Sequence, residues 1–339
     1  MSVRFGSKRA RVTKARVTRA GVARAWLGAA VIAVLGVATA QAESLKIAVP
    51  QRGLWDTSIP EFAQKQGWLK EAGLDVEILY TDGGGATLQA VISGSVDLGM
   101  ANGTLGVMGV IAKGAPIRIV SAQMTGTPDL YWYAKADSGI KSLKDLGEGK
   151  TASFSAVGSS SNLILLALLK QAGSKAKPVS TGGPPATLTQ VMTSQIDVGW
   201  GAPPFGLKEL NEKKIVIVAR SADAAEMKDQ TVRVNLANLE SLKTKREAIT
   251  KFMQVYQRTL DWCYSDPKAI DVFAETAHIS RDIAKQSVDE FYPKQASQIG
   301  EIRGLDRTLK DAVDYKYISA PMTPKDIEPF IDIVYKPAK

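Results

Sequence analysis

Residues that carry chemistry are scarce in this sequence. Among 339 residues there is one cysteine, Cys263, and one histidine, His278. A single cysteine forms no internal disulfide, and Cys263 reads as buried filler ahead of a nucleophile. A single histidine cannot assemble a His-rich metal site, and its place in a late helical segment does not pair it with Cys263, so it reads as a helix-end or surface residue. There is no C-x-x-C, no H-E-x-x-H and no G-x-G-x-x-G, which removes the usual signatures of zinc, metalloprotease and dinucleotide chemistry. GEGKT, Gly147–Thr151, imitates the end of a phosphate-binding loop. The position five before Gly149 is Lys144 instead of glycine, and the segment precedes a strand where a true loop follows one. It reads as a turn into a strand. Asp56 and Asp82 are carboxylates that could support acid–base work, but they have no nucleophile or second motif beside them. No catalytic residue, cofactor or metal is expected.

Acids are missing before Glu43. Residues 1–42 hold eight cations (Arg4, Lys8, Arg9, Arg11, Lys14, Arg16, Arg19 and Arg24), and subtracting these from the formal charge of +9 leaves +1 for residues 43–339. The basicity belongs to the leader, and a nucleic-acid partner loses its main support. An uncharged apolar run, Ala25–Ala40, ends in Ala40-Gln41-Ala42. This is the secretory pattern, with cleavage expected after Ala42. The run has sixteen residues, short of the roughly 20 that span hydrocarbon. A mature chain of 297 residues exceeds what one core usually organises, so two lobes are expected.

A repeated phrase locates them. TDGGGATLQAVISGSVDLG, Thr81–Gly99, returns as TGGPPATLTQVMTSQIDVG, Thr181–Gly199. Aligned without a gap, Thr81, Gly83, Ala86, Thr87, Leu88, Val91, Asp97 and Gly99 match Thr181, Gly183, Ala186, Thr187, Leu188, Val191, Asp197 and Gly199. Each copy reads as strand, Gly or Pro turn, helix from about Ala86 or Ala186, polar break and buried strand: a parallel crossover unit. Around the copies the pattern predicts strands at Leu45–Pro50, Pro116–Gln123, Lys150–Ser155 and Lys214–Arg220. Helices are expected over Thr57–Lys70, Gly103–Ala115, Ser159–Gly173 and Pro204–Leu210. Asp129–Ala136 leaves the first lobe and Thr231–Ala237 carries the chain back. From Thr244 the signal is helical, opening on a Thr244-x-x-Glu247 capping box, with later N-caps at Asp266-Pro267, Ser280 and Thr323-Pro324. The expected division is leader 1–42, first lobe 43–130, second lobe 131–234, and a return with C-terminal helices over 235–339.

Gly67–Glu77 (GWLKEAGLDVE), the glycine turn, SGSVDLG, Lys113–Val120 (KGAPIRIV) and Ser138–Asn162 together resemble the substrate-binding proteins of ABC importers for nitrate, sulfonates and taurine, the NMT1/THI5-like group. The resemblance covers nearly all of residues 45–270. It implies an α/β, two-lobed type II periplasmic clamshell, each lobe a mostly parallel sheet flanked by helices, joined by two hinge strands and closing on a ligand. It also implies periplasmic localisation, a monomer, a small anionic ligand, and an ABC permease and ATPase complex as partners. An enzyme of a pyrimidine-precursor or cofactor pathway on the same fold, or a sensing subunit, stays open as an alternative. One departure bears on ligand class: after the second repeat, where relatives often place an acid or aromatic before a proline, this chain has Gly201-Ala202-Pro203-Pro204.

Ligands in such sheets lie beyond the carboxyl ends of strands, where helix starts present free N–H groups. That places candidate ligand contacts at Gln51, Trp55 and Thr57, at Gly84 and Gly85, at Asn102 and Thr104, at Gly158, Ser159 and Ser160, and at Thr181 and Trp200. Asn102-Gly103-Thr104 also matches a glycosylation acceptor but reads as a turn opening a helix. Glycines let a ligand approach backbone amides, hydroxyls add donors, and an anion facing several helix starts is stabilised without a buried lysine. Arg52 is open between a head-group contact and a solvated rim residue.

The leader yields the first test. Intact-mass analysis of protein from the periplasmic fraction should give a chain starting at Glu43; retention of residues 1–42 would overturn the export expectation.

Overall fold

In a computed structural model the protein is described over residues 42–337; the expected leader, apart from Ala42, lies outside the described residues. The first sheet is built from β1 (Glu43–Pro50), β2 (Leu74–Thr81), β3 (Leu98–Gly103), β4 (Ile117–Thr125) and β10 (Thr231–Asn238), in the order β2-β1-β3-β10-β4. β1 runs parallel to β2 and β3, while β10 is antiparallel to β3 and β4. The second lobe uses β5 (Tyr131–Lys135), β6 (Thr151–Phe154), β7 (Lys177–Ser180), β8 (Gly199–Gly201) and β9 (Ile215–Arg220). Its strands pair as β8-β5-β9 and β6-β7, and a parallel bridge from Ala152 to Val198 joins the two groups. The resulting order, β7-β6-β8-β5-β9, mirrors the first lobe position for position.

The helices are α1 (Ile59–Lys65), α2 (Trp68–Glu71), α3 (Gly84–Ile92) and α4 (Thr104–Ile111) in the first lobe, with α5 (Ser160–Ala172), α6 (Pro184–Met192) and α7 (Leu207–Asn211) in the second. After β10 come α8 (Leu239–Thr244), α9 (Arg246–Ser265), α10 (Lys268–Ala277), α11 (Arg281–Phe291), α12 (Leu305–Asp314) and α13 (Pro324–Ile327). The single helix expected over Thr57–Lys70 is two, because Gly67 takes φ 76 between them. The Thr244 capping box does not form: α9 starts at Arg246, and the Thr244 hydroxyl donates back to the Glu240 carbonyl instead. Ser280 does cap α11 through the Ile283 amide, and Thr323 forms a capping box with Asp326. GEGKT is a turn leading into β6, and Asn102-Gly103 leads into α4.

The repeat is structural in detail. Asp97 accepts the Lys46 amide, midway along β1, at 2.8 Å, and Asp197 accepts the Thr151 amide at the start of β6 at 2.9 Å. The hydroxyls of Thr81 and Thr87 meet at 2.7 Å, as do those of Thr181 and Thr187. Thr87 and Thr187 also bond the Gly83 and Gly183 carbonyls at 3.2 and 3.0 Å, which closes the first turn of α3 and of α6 two residues earlier than the sequence suggests. Val91 and Val191 press on Gly99 and Gly199, where a Cβ would come within 2.4 and 2.6 Å of their methyls. Matching positions therefore pin each helix to the strand that follows it.

The chain passes between lobes at 126–130 and 221–230, and the two passages touch: the Gly126 amide donates to the Gln230 carbonyl at 2.9 Å, and the Ser221 amide to the Leu130 carbonyl at 3.0 Å. Asp129–Ala136 and Thr231–Ala237 are thus not themselves the connectors along their length. β5 and β10 are interior strands with neighbours on both sides, and all eight residues of β10 are buried. The return to the first lobe comes at Thr231, ahead of the expected 235. Around it Trp55 packs against Phe62, Tyr264 and Phe273, which fastens α9 and α10 to the first lobe.

Gly99→Ala and Gly199→Ala should each cost about 1–3 kcal/mol in denaturant unfolding, the penalty of overpacking against a stiff valine. Gly147→Ala, whose Cβ would meet nothing within 4 Å, should stay within about 0.5 kcal/mol of wild type. Equal stability for all three would mean the helix–strand contact has room to spare.

Candidate functional site

The carboxyl ends of β1 and β3 and the starts of α3, α4 and α5 converge on one small enclosed space at the seam between the lobes. Its cavity volume is about 30 Å³, room for one or two waters and no more. Gly84 opens α3, Gly103 caps α4, and Ser159 caps α5 ahead of Ser160 and Ser161; all five line the cavity. The first amides of a helix have no partner within it, so three sets of oriented N–H groups surround the same point. Ser159 earns its place as cap by accepting the Asn162 amide at 3.2 Å.

The floor is ionic. Arg233, on β10, donates from Nη1 to Asp56 at 3.0 Å, from Nη2 to Asp129 at 2.8 Å and from Nε to the Ser160 hydroxyl at 2.9 Å. Gln123 on β4 donates to the same oxygen of Asp56 at 3.1 Å. All three charged groups are buried, Asp129 with no exposed surface at all. Burial pushes the Asp129 carboxyl up to about 6; the Arg233 charge opposes that rise and the Asp56 charge adds to it. For Arg233, burial alone favours loss of the proton, but Asp129 and Asp56 outweigh it and raise the guanidinium further. One oxygen of each carboxylate, Asp56 Oδ1 and Asp129 Oδ1, has no hydrogen-bond partner.

Of the contacts expected from sequence, Gln51, Thr57, Gly84, Ser159, Ser160 and Trp200 line this cavity. The others sit elsewhere. Trp55 is fully buried in the aromatic cluster and donates to the Tyr264 hydroxyl at 3.1 Å; lying just after a strand did not bring it to the cleft, because its ring turns into the core. Thr181 is spent on Thr187, and Thr104 points to the Val232 carbonyl at 3.5 Å. Asn102 folds its amide back onto the Gly99 carbonyl at 2.8 Å. Gly85 faces the opposite lobe near Ala156 at the rim. Arg52 is a rim residue, its guanidinium over the Tyr80 ring at 4.4 Å. Sequence reasoning missed Arg233 and Asp129. The signal for the first was an arginine inside an apolar strand, TVRVNLA, at a position where both neighbours are valines.

Gly158 serves closure more than contact. The Gly106 amide donates to its carbonyl at 3.1 Å across the seam, and the Tyr317 hydroxyl accepts its amide at 2.7 Å. A Cβ on Gly103 would lie 2.5 Å from the Gly158 oxygen, and one on Gly158 would lie 2.7 Å from Gly106 Cα. Backbone meets backbone here, and only glycines allow it.

Comparison with known proteins identifies the family and the fold. A family profile described as NMT1/THI5 like matches residues 61–270. A protein named as a binding protein in Brucella abortus (strain 2308) is 24% identical over 284 residues, covering 80% of this chain and 86% of its own. The alkanesulfonate-binding protein SsuA from Xanthomonas axonopodis pv. citri, solved bound to MOPS, superposes with a TM-score of 0.71 at 16% identity, covering 86% of this chain and 98% of that one. The periplasmic nitrate-binding protein NrtA from Synechocystis PCC 6803 gives 0.66 at 13% identity, covering 86% of each chain. These likenesses support the two-lobed periplasmic binding fold.

The raised carboxyl of Asp129 has a definite sign. A folded-state pKa above the unfolded one adds stability that is complete below the ordinary carboxylate range and is lost as pH climbs through about 6. In urea titrations from pH 4 to 7, the stability of Asp129→Asn relative to wild type should therefore improve with rising pH. A constant difference would show that Asp129 titrates as an ordinary surface acid.

Proposed function

We propose that this chain, which belongs to the NMT1/THI5-like family, is the exported solute-binding protein of an ABC importer, capturing a small organic anion between its lobes in the periplasm and delivering it to a membrane permease. The observation that carries the reading is the convergence of the α3, α4 and α5 N-termini, two from one lobe and one from the other, on a single cavity. Such amides and dipoles hold negative charge without a lysine, and the ligand is complete in its contacts only when both lobes reach it. Sulfonate, taurine, nitrate and carboxylate ligands all fit that chemistry. At about 30 Å³ the closed cavity admits none of the organic ones as it stands, so uptake requires the lobes to part, by changes in the passages at 126–130 and 221–230 with little change inside either lobe.

Gly84 offers a clean test. Its φ is not positive, and a Cβ there would meet only ordinary contacts, 3.7 Å from the Gly103 amide nitrogen; the strained turn residue is Gly83, at φ 145. Gly84→Ala should leave the melting temperature unchanged and weaken the anion that binds best by about tenfold. That anion is found by thermal shift on ligand-free protein across sulfonates, carboxylates, nitrate and taurine, where saturation at 100 times Kd adds about 2.7 kcal/mol. If no anion in the panel raises the melting temperature, the proposal is wrong; if Gly84→Ala binds as well as wild type, the ligand does not approach α3.

A further inference from the structure

The cleft is built to receive negative charge at its helix starts, yet the charged side chains that line it are two acids and one base: Asp56, Asp129 and Arg233. The base is already used. Each of the three guanidinium nitrogens is engaged, Nε by Ser160, Nη1 by Asp56 and the Met124 sulfur, and Nη2 by Asp129. The acids are not: Asp56 Oδ1 and Asp129 Oδ1 are buried and lack any partner, although Asp56 is only 4% exposed and Asp129 fully enclosed. A buried acceptor without a donor is costly, more so when it is charged, and such oxygens are normally satisfied by something. Two donors near them are already committed, although the Thr127 hydroxyl, two residues before Asp129, is buried and unpartnered as well. Gln123 gives its amide to the other oxygen of Asp56, and the Tyr292 hydroxyl donates to the Pro203 carbonyl at 2.7 Å.

We propose that Asp56 and Asp129 form a subsite for a protonated amine, or another cationic hydrogen-bond donor, on the bound molecule, so that the cleft selects a bipolar ligand with its anionic end at the α3 and α5 starts and its cationic end on the two carboxylates. This rests on the reading of the cleft as an anion-capturing site and narrows its ligand class. An ammonium group carries three donors and no acceptor, which suits two orphan oxygens and a further neighbour. Its positive charge also offsets the surplus acid that one arginine leaves, in a place where water cannot screen it. A molecule that was only an anion would add a second uncompensated negative charge beside the first. Asp129, drawn from the passage between lobes, and Asp56, from the loop after β1, hold the same guanidinium, so both orphan oxygens belong to one compact group of side chains.

The test uses three matched series at chain lengths from two to six carbons: ω-aminoalkanesulfonates, alkanesulfonates and alkylammonium ions, titrated calorimetrically into wild type, Asp56→Asn and Asp129→Asn. At the best chain length the aminosulfonate should bind at least about tenfold tighter than the plain sulfonate, and that preference should fall to within about threefold in at least one of the two variants. If plain sulfonates bind as tightly as their amino counterparts at every length, there is no cationic subsite, although anion capture stands. A preference that survives in both variants removes the assignment to these two residues. If only the alkylammonium ions bind, the subsite is upheld and the anion reading fails; if nothing binds, both fail. Should an asparagine variant fold poorly, Asp56→Glu and Asp129→Glu, which keep the charge and displace the oxygens, decide the assignment by the same loss of preference.

Discussion

Much of this molecule turns on one buried arginine. Arg233 lies on an interior strand of the first sheet, reaches the loop after β1 through Asp56, the interlobe passage through Asp129, and the first helix of the second lobe through Ser160. Taking three charges out of water is expensive, and their mutual attraction repays it only with good geometry. A hydrophobic substitute of similar volume would serve stability at least as well. What such a substitute could not do is fix the direction from which the second lobe arrives, because only a directed N–H seeks the Ser160 hydroxyl. The ion pair is thus better understood as a positional device than as a source of stability, and its placement at the floor of the cleft ties the closed arrangement of the lobes to the electrostatics a ligand meets.

The repeated phrase has a different job. Read as sequence, it suggested that each lobe needs its own ligand-facing turn. In the structure the matching residues look inward: paired threonine hydroxyls, an aspartate bonding the first strand of its lobe, and a valine seated on a glycine. The cavity is lined instead by residues that differ between the copies. Gly84 lines it, while its counterpart Pro184 does not. Two lobes of the same build can therefore present unlike walls, since the identities that maintain the helix–strand contact leave the ligand-facing positions free to vary.

The order of elements was legible because strand and helix periodicities differ, and because Gly and Pro punctuate them; the NMT1/THI5-like likeness, carried by motifs in combination, went further than any single motif. The candidate site was legible in part. Helix starts betray themselves by Gly, Ser and Thr, which is how Thr57, Gly84, Ser159 and Ser160 are read, while Gln51 and Trp200 are read from the loop and the aromatic at strand ends; all six line the cavity. Direction of side chains was not legible: Trp55 and Trp200 both follow or form strand ends, but one ring enters the aromatic core and the other lines the cleft. Nor was Arg233, since within a strand read only for its hydrophobic alternation a lone cation looks like the solvent face. Both faces of β10 are buried, which is the fact that converts that arginine from surface to site.

Closure rests on polar contacts that are individually weak. Across the seam run, among others, the Gly106–Gly158 backbone bond, the Tyr317 contacts with Gly158 and Asn162, the Arg233–Ser160 bond and the Lys170–Asp314 ion pair, each hydrogen bond worth about 1 kcal/mol net, somewhat more where charge is involved. A sum of a few kcal/mol is the scale on which two conformations exchange populations and on which a ligand's differential affinity can decide between them. Larger interlobe packing would hold the cleft shut against its own ligand; weaker packing would waste binding energy on ordering the lobes. The glycines at 103, 106 and 158 achieve this balance sterically: they let two backbones touch over a small area, so closure is exact in position without being strong. That is why glycine matters here for the meeting of lobes, a use distinct from the ligand approach proposed at position 84, which the sequence writes identically.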